Sequence, residues 1–227
     1  MCMAFGEQDW RTASRASSGL APRPEEEREA VVQVYAARTF NWRGYFAVHT
    51  WIALKEKNAP SYTTYQVIGW YLGWKGTAVD IRQDTPDRFW YGAEPQLIEE
   101  LRGEKAEKAI PQIKKLAATY PYGKTYNAWP GPNSNTFISY IVRNVPELTV
   151  ELPPHAIGKD WSPKLIEKSE SGSGYQLTFY GLFGVTVGRA EGIEINILGL
   201  NFGVDFYRPA LKLPLFGRIG LKDEPLQ

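Results

Sequence analysis

Closely spaced glycines divide the last quarter of the chain into short segments that are rich in β-branched and aromatic residues. Such segments, separated by turn residues, indicate strands joined by tight turns. The pattern predicts an antiparallel meander over residues 175–206. The glycines stand at positions 181, 184, 188, 192, 199 and 203, and the strand-like segments are 175–180, 185–187, 193–198 and 202–206.

Strand-like and helix-like segments follow one another in blocks along the rest of the chain. β-branched and aromatic residues predict strands first, and apolar residues at helical spacing then predict helices. Because strands, helices and strands succeed one another in this way, we predict an α+β fold: an antiparallel sheet with a small helical subdomain, followed by the C-terminal β meander. The predicted strands are 31–35, 45–54, 62–70, 77–82 and 88–91, and the predicted helices are 96–102, 104–120 and 136–144.

The first 29 residues differ in composition from the rest of the chain. They contain small polar residues, the stiff segment Ala21-Pro-Arg-Pro24 and the charge run Glu25-Glu-Glu-Arg-Glu29. Since they have almost no periodic apolar residues, we predict an N-terminal arm or linker over 1–29 that packs poorly on the domain. The expected organisation is a single α+β domain over 30–220, with a core at 30–148, a C-terminal β extension at 149–220 and a tail at 221–227.

Composition argues against several classes of protein. Lys plus Arg number 26 and Asp plus Glu 25, so the net charge of +1 does not favour a nucleic-acid partner. One cysteine and two histidines do not supply the ligands of a metal centre, and no phosphate loop or dinucleotide fingerprint is present. We therefore expect no metal, no cofactor and no nucleic acid. No apolar run reaches the roughly 18 residues that a membrane span needs.

A histidine, a serine and a glutamine are the strongest candidates for catalytic chemistry. His49 lies in an apolar strand segment, and Ser134 lies between a proline-rich loop and an apolar helix. The N–H groups at a helix start can stabilise a negative oxygen, so a serine there that faces a strand histidine suits acyl transfer. Gln66 on the next strand is the candidate to orient the His49 ring, because its amide oxygen accepts an imidazole N–H.

The same residues also have structural explanations. Asn and Ser are favoured at helix N-caps, which accounts for residues 133–135, and a strand histidine is often a hydrogen-bonded core residue. Tryptophans at 51, 70, 74, 90 and 129 either line an apolar groove or a carbohydrate platform, or pack in the core. His155 and Asp160 join the site if their loop folds over Ser134. The candidates for substrate binding are Trp51, Trp129, Asn133, Asn135 and His155.

The strand His49 followed by Asn133-Ser-Asn-Thr-Phe137 at a helix start resembles the circularly permuted NlpC-type papain-like hydrolases. Members related to lecithin retinol acyltransferase and the PPPDE peptidases carry a strand histidine first and an Asn-Cys-x-x-Phe helix later. The resemblance implies a papain-like core with Ser134 at the position of the cysteine. A serine hydroxyl is far less acidic than a thiol, so the histidine must do more to deprotonate it.

A second resemblance covers nearly the whole chain. It rests on five segments: 31–40, 42–51, 129–137, 156–160 and 191–198. These segments are similar to the bacterial family called domain of unknown function 3750. Members of that family resemble envelope proteins with an apolar N-terminal segment, and residues 1–6 fit the stump of such a segment. The resemblance implies a bacterial cell-envelope location, periplasmic or membrane-associated, with membrane association through a segment upstream of residue 7.

Three classes of function fit these residues. The first is a Ser–His acyl-transfer hydrolase, such as an amidase or esterase, that acts on an envelope substrate. The second is a catalytically inactive papain-like relative that binds a peptide, glycan or lipid in the same cleft. The third is a structural interaction protein. The relative position of Ser134 and His49 and the shape of the cleft around them distinguish these classes.

Overall fold

The computed structural model describes residues 9–221, in which two antiparallel sheets carry most of the chain. The strands and helices are β1 (Val31–Arg38), β2 (Val48–Lys55), β3 (Thr63–Val67), α1 (Leu72–Lys75), β4 (Val79–Gln83), β5 (Pro95–Arg102), α2 (Gly103–Ala118), α3 (Ser134–Asn144), β6 (Ile166–Lys168), β7 (Gly174–Phe179), β8 (Phe183–Gly188), β9 (Gly192–Ile197), β10 (Leu200–Asp205), β11 (Ala210–Leu213) and β12 (Gly217–Gly220). Short 3-10 helices occupy Asn41–Tyr45 and Gly69–Tyr71. The first sheet has the strand order β4-β3-β2-β1-β5, and the second runs in chain order from β6 to β12.

The main apolar core lies between one face of the first sheet and the helices α2 and α3. Alternate residues of β1 and β2, such as Val34 and Ile52, point toward Ile113 of α2 and Ile138 of α3, and all four are fully buried. The other face of the sheet carries a smaller aromatic core, in which the rings of Tyr35 and Trp51 stack with centroids 5.4 Å apart. The predicted α+β class and the antiparallel C-terminal meander are confirmed.

Residues 95–102 form a strand, so the prediction of a helix over 96–102 was wrong. β1 is buried along almost its whole length, and its backbone N–H and C=O groups need partners on both sides. β5 supplies the second partner as an edge strand, and a bulge at Val34/Tyr35 shifts its register. The spacing of Leu97 and Leu101 imitates a helix, yet Leu101 is buried while Leu97 is 37% exposed.

The N-terminal arm is docked on the domain through polar contacts. The buried Asp87 carboxylate accepts hydrogen bonds from the Ser17 hydroxyl (2.8 Å) and the Leu20 N–H (2.7 Å), and the Tyr62 hydroxyl donates to Pro22 O (3.0 Å). The prediction that the arm packs poorly was therefore wrong for residues 17–22. Hydrogen bonds hold this segment, together with the packing of Ala21 against the aromatic core. Residues 1–8, with the predicted stump at 1–6, and most of the tail at 221–227 lie outside the described residues.

The second sheet has seven strands, three more than the sequence pattern predicted. It turns its polar side inward, onto the segment 149–163, where Lys159 donates to Glu194 at 2.8 Å and Lys212 contacts Glu151. The opposite side of the sheet is apolar and exposed. Within residues 9–221, no helix has the length and apolar content that crossing a bilayer requires.

The buried Glu99 carboxyl on β5 should make folding stability depend on pH. Burial raises its pKa from 4.5 to about 7, against the hydrogen bonds that Thr149 donates to Oε1. Glu99 therefore holds its proton more tightly in the folded state than in the unfolded state. Its contribution to stability is complete below pH 4.5 and is lost as the pH rises toward 7.

We expect Glu99→Gln, which has no charge at any pH, to be more stable than the wild-type chain at pH 8 by about 3 kcal/mol. The advantage should disappear near pH 3, where the wild-type carboxyl is protonated in both states. Urea unfolding of both chains at the two pH values measures this difference. A difference that does not change with pH would contradict the prediction.

Candidate functional site

A cavity of about 870 Å³ opens at the end of the first sheet where β2 begins. It is lined by His49 on β2, by Ser134 at the start of α3 and by the turn between β9 and β10. Its walls are mainly aromatic. The aromatic residues of the lining include Trp42, Phe46, Trp70, Trp90, Tyr126 and Trp129.

The start of α3 occupies an opening between β2 and β3. These two strands pair only from Ile52 to Leu54, so the first residues of β2 have no partner in β3. Asn135 fills the opening, since its amide donates to Val48 O at 3.0 Å and accepts from the Thr50 hydroxyl at 2.9 Å. His49 stands between the two residues that Asn135 binds, and Ser134 directly precedes Asn135. These bonds bring the two candidate residues to the same cavity.

The His49 ring packs on the side of the sheet opposite α3. It stacks on Trp90 with centroids 3.7 Å apart and planes 10° from parallel. Because β3 has left β2 at this point, the cavity extends around the end of the sheet and is lined by His49 and Ser134 together. Within residues 9–221 no hydrogen bond joins the two side chains.

A buried chain of hydrogen bonds fixes the proton of His49. The Asp80 carboxylate accepts from Gln66 Nε2 at 3.1 Å and from Lys75 Nζ at 2.7 Å. The amide oxygen of Gln66 therefore points the other way, toward Arg88, which donates to it at 3.4 Å, and toward His49 Nε2 at 3.1 Å. Since this oxygen can only accept, Nε2 must carry the imidazole proton. The lone pair of a neutral His49 is then on Nδ1.

His49 is neutral in the folded protein. Its pKa is lowered to about 3, chiefly by burial; the hydrogen bond to Gln66 acts in the opposite direction, and the charge of Arg88 also lowers the pKa. Among the residues that the structure describes, none makes a hydrogen bond to Nδ1. His49 is thus uncharged, its ring is held by stacking, and it lies in the cavity lining with no described partner on Nδ1. It can accept a proton there, but a pKa of about 3 makes it a weak base near neutral pH.

Asn133, and not Ser134, caps α3. Its side-chain oxygen accepts from the N–H groups of Asn135 (2.9 Å) and Thr136 (3.2 Å), and Thr136 completes a capping box. The side chain of Asn135 is already hydrogen-bonded to β2 and to Ile157 O. By contrast, neither the hydroxyl nor the backbone N–H of Ser134 has a hydrogen-bond partner within the described part of the chain. Helix capping therefore accounts for Asn133, whereas the Ser134 side chain makes no hydrogen bond within the described residues that would stabilise the fold.

The other predicted substrate-binding residues fall into two groups. Trp129, Asn133 and Asn135 line the cavity. Trp51 does not, because it is 1% exposed and donates its indole N–H to Pro86 O at 2.7 Å within the aromatic core. His155 does not either, since its ring is buried beside the turn at Gly217.

The prediction of a site that includes His155 and Asp160 is not supported by their positions. Asp160 is buried under the second sheet, where it accepts from Asn201 Nδ2 at 2.6 Å. Trp70, Trp90 and Trp129 line the cavity, whereas Trp74 is exposed and lies outside the lining.

Sequence reasoning missed Asp80, Arg88 and Trp90 as supports of His49. Asp80 pairs with Gln66 across β3 and β4, so alternation along the two strands puts both side chains on one face. That signal needs the strand register, which the sequence alone does not provide. Arg88 and Trp90 come from the segment 88–91, which was predicted as a strand but makes only isolated bridges. The predicted strand gave no indication that these two side chains contact His49 or Gln66. No group of three His, Cys, Asp or Glu residues within 9–221 is arranged to hold a metal ion.

Two neighbouring variants at the start of α3 should distinguish a residue that stabilises the fold from one that does not. Asn135→Ala removes partners from Val48 O, the Thr50 hydroxyl and Ile157 O, and we expect it to lower the free energy of unfolding by about 2–4 kcal/mol. Ser134→Ala should change it by less than about 0.5 kcal/mol. Urea unfolding of both variants provides the comparison. If Ser134→Ala is as destabilising as Asn135→Ala, Ser134 has a structural role.

The tautomer of His49 is open to direct measurement. Nitrogen NMR of the imidazoles should show His49 protonated at Nε2 and not at Nδ1, without titration between pH 5 and 8, because its folded pKa is about 3. Gln66→Met keeps the volume but removes the acceptor, so the preference for this tautomer should weaken. Of the two histidine signals, the one that disappears in His49→Gln belongs to His49, and the remaining one belongs to His155. A His49 signal that titrates near pH 6.5 would overturn the assignment.

The chain was compared with protein families, curated proteins and solved structures. Residues 29–161, more than half of the chain, match the family described as Protein of unknown function (DUF3750). No curated protein and no solved structure matches the chain. The papain-like resemblance therefore stays a prediction. His49, Gln66 and Ser134 all lie inside the matched segment, and the chain belongs to the DUF3750 family.

Proposed function

We propose that this protein is a Ser–His acyl-transfer enzyme, either an amidase, an esterase or an acyltransferase. The observation that carries the proposal is one cavity that holds Ser134, whose hydroxyl and N–H have no partner among residues 9–221, together with a neutral His49 whose proton is fixed on Nε2. A nucleophile, a base and an oxyanion donor are the three groups that acyl transfer requires.

Each group has one role in the proposed reaction. The Ser134 oxygen attacks the carbonyl carbon while His49 Nδ1 takes the hydroxyl proton. The Ser134 N–H donates to the negative oxygen that forms. His49 then returns the proton to the leaving group, the bond to that group breaks, and an acyl-serine ester is left. Water or a second alcohol or amine repeats the sequence in reverse and frees the serine.

The walls of the cavity favour a substrate with an apolar chain. The aromatic rings of Trp42, Trp70 and Trp129 stand at its rim and are each more than half exposed. Arg43 is the cationic side chain of the described lining, and its guanidinium lies 5.3 Å from the Trp42 ring centroid. We propose an acyl ester or amide of an amphiphile. A location in the cell envelope is part of the same proposal and comes from the family resemblance.

A second candidate is a binding protein without catalysis. It is favoured by the serine at the position where papain-like hydrolases have cysteine, since the serine hydroxyl is hard to deprotonate. The same 870 Å³ cavity would then hold an amphiphile without cleaving it. The two candidates agree on the ligand class and differ only in what happens at Ser134.

Labelling with an alkyl fluorophosphonate tests the first candidate. The reagent should modify Ser134 of the full chain, as identified by mass spectrometry of peptides. His49→Ala should slow labelling by about 100-fold or more, because the base is lost. Ser134→Ala should abolish labelling, and Ser61→Ala, the same change in the turn before β3, is its matched control and should label like the wild-type chain.

A thiol variant strengthens the test. Ser134→Cys should react with iodoacetamide faster than Ser134→Cys combined with His49→Ala, since His49 readily takes the more acidic thiol proton. Absence of labelling, together with saturable binding of a fluorescent fatty acid that Trp129→Ala weakens, would reject the enzyme and support the binding protein. Absence of both results would reject both.

A further inference from the structure

The outward side of the second sheet, formed by the outward-pointing residues of β6–β12, is almost entirely apolar. We call it the apolar sheet face. One row of cross-strand neighbours runs over six strands from β7 to β12, and each member is between 37% and 68% exposed. The row consists of Tyr175, Val187, Ile193, Val204, Leu211 and Ile219.

This face is larger than ordinary exposed apolar surface. A second row, from Ile166 through Val185 to Phe202, lies beside the first and is also exposed. Together the two rows and the phenylalanines next to them expose on the order of 1,000 Å², whereas the largest apolar patch of a typical monomer is about 300–600 Å². A surface of this size and character is expected to be covered by a ligand, a partner or a membrane.

The sheet cannot turn over to bury this face. Its inner side carries Glu194 and Lys212, both 1% exposed, and these pair with Lys159 and Glu151 of the segment beneath. Turning the sheet over would separate these pairs. The apolar rows would then lie against Lys159 in place of Glu194, and the buried ammonium would lose that carboxylate. The outward position of the apolar rows is thus set by the ion pairs.

The charges around the face have one sign. Between residues 164 and 221 the exposed charged side chains are Lys164, Lys168 and Arg189. Lys168 pairs with Tyr175 at the edge of the face itself. Every acidic residue in this range is buried or half-buried, and each is paired or hydrogen-bonded within the protein. These are Glu167, Glu170, Glu191, Glu194 and Asp205.

We propose that the apolar sheet face is a docking surface for an anionic lipid bilayer. Aromatic and aliphatic side chains would enter the interface, while the lysines and the arginine at its edge meet the lipid phosphates. The backbone groups of the inner strands are already paired within the sheet, so the face can contact hydrocarbon without leaving them unsatisfied. Docking through this surface does not depend on the proposed catalytic activity.

A second copy of the chain fits the face less well. In a two-fold pairing of the sheets, the cations of one copy would meet cations or apolar residues of the other. The described part of the sheet offers no exposed carboxylate to pair with them. An anionic bilayer supplies that charge complement, and we therefore favour the bilayer.

The apolar sheet face also reaches the cavity. Leu198, in the turn between β9 and β10, and Leu200, the first residue of β10, line the cavity. The indole N–H of Trp129 donates to Leu198 O at 2.8 Å. A bilayer on the face would therefore lie close to the cavity rim. Passage of a lipid from the bilayer to Ser134 is the one part of this inference that depends on the proposed function.

Vesicle co-sedimentation of the full chain tests the docking surface. We expect at least tenfold tighter binding to vesicles of phosphatidylcholine with 30% phosphatidylglycerol than to vesicles of phosphatidylcholine alone. Ile195→Glu, in the middle of the face, should weaken binding at least tenfold. Ile81→Glu, the same change at a similarly exposed position on β4 of the first sheet, is the matched control and should bind like the wild-type chain.

Three further variants support the interpretation of the vesicle-binding test. Ile219→Glu, on the edge strand β12, replaces Ile195→Glu if thermal unfolding shows that the latter does not fold. Lys168→Gln with Arg189→Gln should reduce the preference for anionic vesicles about tenfold. Ser134→Ala should bind vesicles normally, so that a failure of catalysis and a failure of docking are told apart.

Three results would overturn the proposal. One is absence of vesicle binding. Another is vesicle binding that Ile195→Glu and Ile219→Glu do not affect, which would assign the contact to another part of the chain. The third is a dimer, measured by light scattering, that Ile195→Glu dissociates, since the face would then be an interface between copies.

Discussion

Lys159 is the buried cation on which the arrangement of the second sheet depends. Burial alone would lower its pKa, but the carboxylates of Asp160, Glu194, Glu170 and Glu151 raise it well above its usual value. A buried charge is tolerated only when it is paired, so the strands must present their polar side chains to it. Because side chains alternate along a strand, the apolar residues of the same strands then point to the outside.

The segment that carries Lys159 also supports the candidate site. Ile157 O accepts from the amides of both Asn133 and Asn135, and the next carbonyl, that of Gly158, accepts from the Thr136 hydroxyl. One short stretch of chain therefore holds the start of α3 on one side and the second sheet on the other. The position of Ser134 and the orientation of the sheet share a common support.

Local patterns predicted much of the fold and only part of the site. The helix α2, the β meander and the contact between Gln66 and His49 follow from periodicity and from the alternation of neighbouring strands. β5 did not, because its pairing with β1 is decided by the partners that β1 lacks. Nor did Asp80 and Trp90, whose contacts need a register and a loop path. The sequence pattern also did not indicate which side of the second sheet faces the protein interior. Its alternation fits an inward-facing apolar side equally well.

The docked arm has a practical consequence for recombinant production. The segment matched by the family, 29–161, suggests natural limits for a shortened chain. Such a chain would lack Ser17 and Leu20, the partners of Asp87, whose neighbouring loop residues Arg88 and Trp90 support His49. It would also lose Glu194, which pairs with Lys159. A fragment cut at those limits would leave the Asp87 carboxylate without these donors and would leave Lys159 with Asp160 but without Glu194. Expression should therefore retain the arm from Ser17 onward and the strands of the second sheet.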